Sequence, residues 1–174
     1  MVDTRLERWV VHHRTHWLDD LFIALSHVAN SGLIWLVIAV LAAVLWRRPS
    51  IFLFVLAGDV AAGWASFGLR QAIGRDRPPH RFDDPRPLID VPVTDSFPSG
   101  HASTSFACAA LLAWLTPLPK VPLFALAALI AFSRVYNGVH YPLDVLGGAA
   151  LGLAVATALR LLAGARRRSA PEPR

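Results

Sequence analysis

The sequence predicts an all-α fold, a polytopic bundle of transmembrane helices. The chain has 174 residues, enough for one domain, and 55% of them are hydrophobic. Its mean hydropathy is +0.46, well above that of a soluble protein. Several apolar stretches reach or approach the roughly 20 residues that cross a bilayer. Short segments such as "RRPS", "TPLP" and "NGVHYP" separate these stretches, as loops separate spanning helices.

The helices are predicted in the following order. Residues 1–30 form an N-terminal interfacial or half-inserted segment, because Leu6, Trp9 and Trp17 could line one face of a surface helix. "NSG" at 30–32 then interrupts the apolar run. Residues 31–165 form the transmembrane domain, with about five spanning helices at 31–46, 51–74, 100–116, 121–138 and 142–164. Residues 166–174 form a basic cytoplasmic tail.

The distribution of positive charge predicts the orientation. The net charge of +5 is carried almost wholly by arginine. Basic residues flank the predicted helices on one side, which should be cytoplasmic: Arg47, Arg48, Lys120 and Arg166 to Arg168. The proline-rich loop 75–98 and "NGVHYP" then fall on the outer face. The predicted partners are the membrane and a lipid, with no nucleic acid, since no nucleic-acid-binding motif is present; the oligomeric state is left open.

Three polar clusters stand out in this apolar chain, and all map to the predicted outer face. "RQAIGRDRP" contains two arginines seven positions apart, which would share one face of a continuous helix. "PSGH" begins an apolar stretch, with its serine at the capping position. The third cluster, "SRVYNGVHYPLD", contains an arginine, a histidine and an aspartate. The cluster residues are Arg70, Arg77, Ser99, Gly100, His101, Arg134, His140 and Asp144. So many charged groups at a membrane surface are costly without a function.

These residue types suit phosphate chemistry. Arginine forks match phosphate oxygens, and a helix N-terminus favours an anion. Gly100, which has no side chain, lets a phosphate approach the backbone closely. Two histidines can supply a nucleophile and a proton donor, and Asp144 stands four residues after His140, where it could orient that base. Neither a metal nor a cofactor is expected, because no carboxylate cluster suggests magnesium ligands.

The three clusters together resemble the signature of the phosphatidic acid phosphatase type 2 superfamily of membrane lipid phosphatases. That signature is lysine, six residues, Arg-Pro; then Pro-Ser-Gly-His; then Ser-Arg, five residues, His, three residues, Asp. Residues 98–101 and 133–144 match completely. Arg70 stands where the family usually has lysine, so a fork replaces a point charge. The resemblance covers about residues 70 to 165.

The resemblance implies a role for each residue. His140 would be the nucleophile that forms a phosphohistidine, Asp144 would orient it, and His101 would protonate the leaving oxygen. The phosphate would be held by Arg70, Arg77, Ser99, Gly100 and Arg134. The implied protein is an integral membrane phosphatase of the cell membrane whose active site faces outward.

A polyprenyl diphosphate such as undecaprenyl diphosphate is the expected substrate. Arg75, Arg81 and His80 add positive charge near the cradle and could bind a second phosphate. Small residues at 61–68 could form a groove for the isoprenoid tail. The alternatives are a phosphatidylglycerophosphate, phosphatidic acid or polyprenyl-phosphosugar phosphatase. An alternative of another class is a non-enzymatic protein that binds anionic lipid. Vanadate haloperoxidases share the cradle, but they are soluble.

Overall fold

The computed structural model describes residues 2–168, and every regular element among them is helical, as predicted. The predicted tail therefore lies outside the described residues from position 169 onward. Seven α-helices follow one another in this part of the chain, and two short 3₁₀ turns, Asn30–Gly32 and Pro78–His80, lie between them. The helices are α1 Val2–His12, α2 His16–Val28, α3 Leu33–Leu45, α4 Ser50–Ile73, α5 Gly100–Leu115, α6 Lys120–Tyr136 and α7 Pro142–Arg168.

Helices α4 and α7 are long and apolar enough to cross a membrane. Helices α2 and α3 meet at a bend of 61°, and the pair would be a third span if it counts as one. Helices α5 and α6 have 16 and 17 residues, or about 25 Å each, which is less than the roughly 30 Å of a bilayer core. The structure thus supports an integral membrane protein with two or three candidate spans, and the predicted count of about five is not confirmed.

Helix α5 lies at the centre of the bundle and packs against α4, α6 and α7. Its contact with α7 is the closest, because Gly148 and Gly152 of α7 face the α5 backbone. A Cβ at position 148 would lie 2.5 Å from the carbonyl oxygen of Ser99. This approach joins the start of α5, which carries "PSGH", to the start of α7, which carries Asp144.

Helix α4 ends at Ile73, before it reaches the second arginine of its cluster. Gly74 adopts a left-handed conformation (φ 62°), and its N–H donates to the carbonyl of Arg70 at 3.0 Å. This is the helix termination that glycine makes most easily. Arg70 and Arg77 therefore do not share one helix face, as the spacing suggested. Arg77 lies in the following loop, which folds back over the end of the bundle.

The N-terminal helices cover the same end of the bundle. Helix α1 packs against α6 and α7, and α2 packs against α6. Tyr136, at the end of α6, anchors the turn between them: its hydroxyl donates to Asp19 Oδ1 at 2.8 Å and accepts from the N–H of Thr15 at 3.0 Å. The exposed apolar side chains of α1 include Leu6 and Trp9. The N-terminal segment is thus placed directly behind the loop that carries His140.

Candidate active site

A cavity of about 320 Å³ opens where the ends of α4, α5 and α6 meet the loop before α7. Six of the eight predicted site residues line it: Arg70, Arg77, Gly100, His101, Arg134 and His140. The other two, Ser99 and Asp144, lie directly behind this lining, and the N–H of Ser99 donates to the carbonyl of Asp144 at 2.9 Å. Residues separated by up to 74 positions thus meet in one place.

The neighbours of His140 define its tautomer. Nη1 of Arg77 lies 3.0 Å from Nε2 of His140. Because a guanidinium can only donate, Nε2 must be the acceptor, and the proton of a neutral imidazole is on Nδ1. Nδ1 in turn faces Oδ2 of Asp144 at 3.5 Å. The unshared electron pair of Nε2 therefore points to the side where the arginines lie.

Asp144 is fully buried and held from three directions. Its carboxylate accepts hydrogen bonds from Ser96 Oγ at 2.5 Å, from the N–H of Tyr141 at 2.8 Å and from Nη1 of Arg75 at 2.5 Å. These bonds leave the carboxylate little freedom to rotate. Ser96 and Arg75 were not recognised as supports of Asp144 from the sequence, since a long irregular loop carries no spacing signal.

The environment of His140 favours its neutral form. Burial lowers the pKa of the His140 imidazole well below its ordinary value near 6.5, because a buried cation loses its hydration. The guanidinium of Arg77 lowers that pKa further, while Asp144 opposes the shift. A neutral imidazole has a free electron pair at physiological pH, as a nucleophile requires.

Two arginines of the cavity wall meet at one threonine, Thr94. Arg70 Nη1 and Arg77 Nη2 each donate to Oγ1 of Thr94 at 3.3 Å. Gly100 lies next to Arg70, because a Cβ at that position would be 3.5 Å from Nη2 of the arginine. Thr94 lies in the proline-rich loop and has no motif of its own, so sequence reasoning did not find it. The two forks and the start of α5 together form a cradle of donors.

Three buried polar atoms of the site make no hydrogen bond within the described chain: Ser99 Oγ, His101 Nε2 and Arg134 Nε. Ser99 occupies the N-cap position of α5 as predicted, yet its hydroxyl does not cap the helix. Leaving a buried polar group without a partner costs about 1–3 kcal/mol. This set of a hydroxyl, an imidazole and a guanidinium suits the oxygens of a phosphoryl group.

A second, polar cavity of about 290 Å³ adjoins the first on the far side of His101. The two cavities share Asn30, Pro92, His101 and Arg134 in their walls. The second is completed by Ser26, His27 and residues 89–91, which include Asp90. It extends the enclosed space beyond His101.

The expected second-phosphate cluster is not formed, and that prediction is wrong. Arg75 is bound between Asp3 and Asp144. Arg81 is exposed and pairs with Asp76 at 3.3 Å. Neither arginine, nor His80, is in the wall of the cavity that contains Arg70 and His140. Carboxylates near these arginines neutralise them.

An apolar groove of about 460 Å³ runs along α4, at the position where small residues predicted one. Gly63, Trp64 and Phe67 line it. The groove shares Gly63 and Thr104 with the cavity of about 320 Å³. Asp59 lies in its wall, 3.9 Å from Sγ of Cys108. The groove is positioned to accept an apolar chain attached to a group in the cavity.

The chain thus forms a helical bundle with candidate membrane spans and, at one end, a cavity lined by arginines and histidines. The chain belongs to the PAP2 superfamily, whose pattern matches residues 48–168. Its homologues are named as phosphatases, so the chain is a hydrolase of phosphate esters.

Three known proteins are similar to this chain over different shares of its length. Decaprenylphosphoryl-5-phosphoribose phosphatase of Mycobacterium tuberculosis is 36% identical over 148 residues, 83% of this chain and 80% of that protein. An Escherichia coli protein provisionally named undecaprenyl-diphosphatase is 41% identical over 83 residues, 42% of each chain. The structure of a transmembrane PAP2-type phosphatidylglycerolphosphate phosphatase from Bacillus subtilis superposes with a TM-score of 0.75 at 25% identity, covering 99% of this chain and 88% of that one.

Proposed function

We propose that the chain removes the terminal phosphate of a polyprenyl-linked phosphosugar, through a phosphohistidine on His140, at the outer face of the cell membrane. The observation that carries the choice of substrate is the polar cavity beyond His101, with Asp90 in its wall. The similarity to the mycobacterial phosphatase, which extends over four-fifths of both chains, supports the same choice.

In the first step the phosphoryl group moves from substrate to enzyme. The oxygens of the phosphate accept hydrogen bonds from the arginines, from Ser99 and from the N–H of Gly100, which stabilise the charge of the transition state. Nε2 of His140 attacks phosphorus, and the ester P–O bond breaks. The electron pair of that bond goes to the leaving oxygen, which takes a proton from His101. Asp144 accepts the Nδ1–H of His140 and stabilises the developing positive charge.

In the second step water releases the phosphate. A water molecule attacks the phosphorus of the phosphohistidine while His101 takes its proton. The P–N bond breaks, and its electron pair returns to Nε2 of His140. Inorganic phosphate leaves and the enzyme is restored, with His101 again protonated for the next turnover. His101 thus donates a proton in the first step and accepts one in the second, while His140 forms the P–N bond and then releases it.

The leaving group occupies the polar cavity in this proposal. Sugar hydroxyls are good partners for the carboxylate of Asp90 and the amide of Asn30. A diphosphate would instead place its second, anionic phosphate there, and Asp90 would repel it. Because Arg75 and Arg81 are bound elsewhere, the earlier reason for a diphosphate no longer holds.

The experiment compares purified protein on four lipids in one detergent: a polyprenyl-linked phosphosugar, undecaprenyl diphosphate, phosphatidylglycerophosphate and phosphatidic acid. We expect the highest kcat/KM for the phosphosugar. Asp90→Asn should reduce that preference over the diphosphate, whereas Asp83→Asn, an exposed carboxylate of the same loop, should leave it unchanged. A clear preference for any of the other three lipids would refute the substrate assignment. Binding of all four lipids without phosphate release from any of them would refute the proposed reaction.

A further inference from the structure

Asp3 of the N-terminal helix is linked to the proposed nucleophile through two further charged side chains. Nη2 of Arg75 donates to Oδ2 of Asp3 at 2.5 Å, and Nη1 of the same guanidinium donates to Oδ1 of Asp144 at 2.5 Å. Asp144 faces Nδ1 of His140 at 3.5 Å. One arginine fork therefore bridges two carboxylates, of which Asp3 is nearly buried and Asp144 fully buried.

Further contacts hold Arg75 in this bridging position. Its guanidinium lies over the ring of Tyr141, with 4.3 Å between Cζ and the ring centroid. Its carbonyl accepts from the N–H of Ser96 at 2.7 Å, and Ser96 itself donates to Asp144. Asp3 also accepts from the N–H of Leu143 at 2.9 Å, in the first turn of α7. The helix that carries Asp144 is thus tied to Asp3 both directly and through Arg75.

We infer that Asp3 and Arg75 are positioning residues of the phosphatase reaction, through which α1 orients Asp144 and thereby His140. The inference rests on the role proposed for His140. A guanidinium is suited to the task because its planar fork can bind two carboxylates at once and stays charged. Without Asp3, Nη2 of Arg75 loses its partner, and the fork can turn away from Asp144. Asp3 lies outside residues 48–168, so the family pattern does not include it.

The test measures kcat and KM of Asp3→Asn and Arg75→Gln separately, on the best substrate of the lipid panel. Loss of a positioning contact to a catalytic group costs roughly 10- to 100-fold in activity. We expect a loss of this size in kcat, with KM changed less than about twofold, since neither side chain lines the phosphate cavity. Asparagine keeps an acceptor for the N–H of Leu143, so the start of α7 stays capped.

A double variant and a matched control distinguish positioning from loss of folding. Asp3→Asn combined with Arg75→Gln should be no slower than Arg75→Gln alone, because Asp3 acts through Arg75. Arg75→Lys should restore only part of kcat, since an ammonium has no fork. The nearby pair Arg81 and Asp76 is exposed, so Arg81→Gln and Asp76→Asn should retain wild-type kcat.

The outcomes separate this inference from the proposed function. Wild-type kcat in both Asp3→Asn and Arg75→Gln would overturn the inference, as would fully additive losses in the double variant. A raised KM at unchanged kcat would also overturn it. If Asp3→Asn does not fold, Arg75→Gln alone tests the inference: a loss in kcat with little change in KM supports it, and a raised KM at unchanged kcat overturns it. Activity retained by His140→Ala would instead refute the phosphohistidine mechanism itself.

Discussion

Arg77 donates to His140: Nη1 of the guanidinium lies 3.0 Å from Nε2 of the imidazole. All three nitrogens of this guanidinium also donate to backbone carbonyls: Nε to Thr94 at 2.6 Å, Nη1 to Val139 at 2.9 Å and Nη2 to Asp95 at 3.1 Å. The arginine is thus held beside the nitrogen that we propose as nucleophile. During attack by that nitrogen, the guanidinium would lie close enough to the phosphoryl group to stabilise the negative charge of the transition state.

His140→Ala should reduce phosphate release by at least about 10³-fold, because residues 2–168 offer no other group in the same position for attack on phosphorus. The measurement is turnover of a lipid phosphate by purified protein, with thermal unfolding to check that the variant folds. Wild-type protein quenched in alkali should carry a phosphate label that acid removes, as a P–N bond does. A label that maps to any residue other than His140 would contradict the assignment.

His101→Ala should impair poor leaving groups more than good ones, because proton donation contributes most where the leaving oxygen is basic. General acid catalysis contributes about 10²–10⁴-fold. The comparison uses an alkyl lipid phosphate and an aryl phosphate, each with wild-type protein and the variant. The loss should be at least about tenfold larger for the alkyl ester. Equal losses on both esters would argue against a role as general acid.

Catalysis should proceed without a divalent metal, because arginines occupy the positions around the phosphate where metal ions would otherwise neutralise charge. EDTA should leave kcat unchanged, and added magnesium should not raise it. Vanadate should inhibit, since its trigonal-bipyramidal form resembles the phosphoryl transition state. Activity that EDTA abolishes and magnesium restores, with the substrate equally dispersed, would show that this prediction fails.

The orientation can be tested with two single cysteines. Asp84→Cys, in the exposed loop near the site, should react with an impermeant thiol reagent on intact cells. Ser50→Cys, beside the basic turn before α4, should react only after the cells are opened. The native Cys108 is buried and should contribute little background. The reverse pattern would place the active site in the cytoplasm.

Glu7→Gln should stabilise the protein at pH 8 more than at pH 5. Glu7 is fully buried, neither of its carboxylate oxygens has a hydrogen-bond partner among the described residues, and burial raises its pKa to about 7. Oε2 of Glu7 lies 3.8 Å from Nη1 of Arg8, which is too far for a hydrogen bond that would offset the loss of hydration. Because the pKa is raised on folding, stability falls as pH rises from the unfolded value, about 4.5, through the folded one.

The difference between variant and wild type should reach up to about 3 kcal/mol at pH 8 and shrink toward pH 5. Thermal unfolding in detergent at both pH values measures it. Asp76→Asn, which removes an exposed carboxylate, is the control and should show little difference between the two. A Glu7→Gln variant with the same stability gain at pH 5 and pH 8 would contradict the assignment of the effect to ionisation.

Local sequence patterns were enough to predict the helical class, the bounds of the longer helices to within a few residues and the residues of the three polar clusters. These features are local: apolar runs set the helices, and the spacing within "PSGH" and "SRVYNGVHYPLD" is written along the chain. A helix start and a histidine four residues before an aspartate can be recognised from neighbouring residues alone, without knowing which distant residues contact them. The number of membrane spans is less local, since it depends on how short helices and the bent α2–α3 pair sit in the bilayer.

The sequence could not show which charged residues line the cavity and which pair with one another, because the fold brings these residues together from distant positions. The sequence suggested that Arg75 and Arg81 bind a second phosphate, but a guanidinium pairs with whichever carboxylate the fold brings nearest. Gly74 turns the chain before Arg75, and the loop then delivers that arginine to Asp3 and Asp144, 72 and 69 positions away. Such pairings depend on loop closure and burial over long separations, and no spacing in the sequence encodes them.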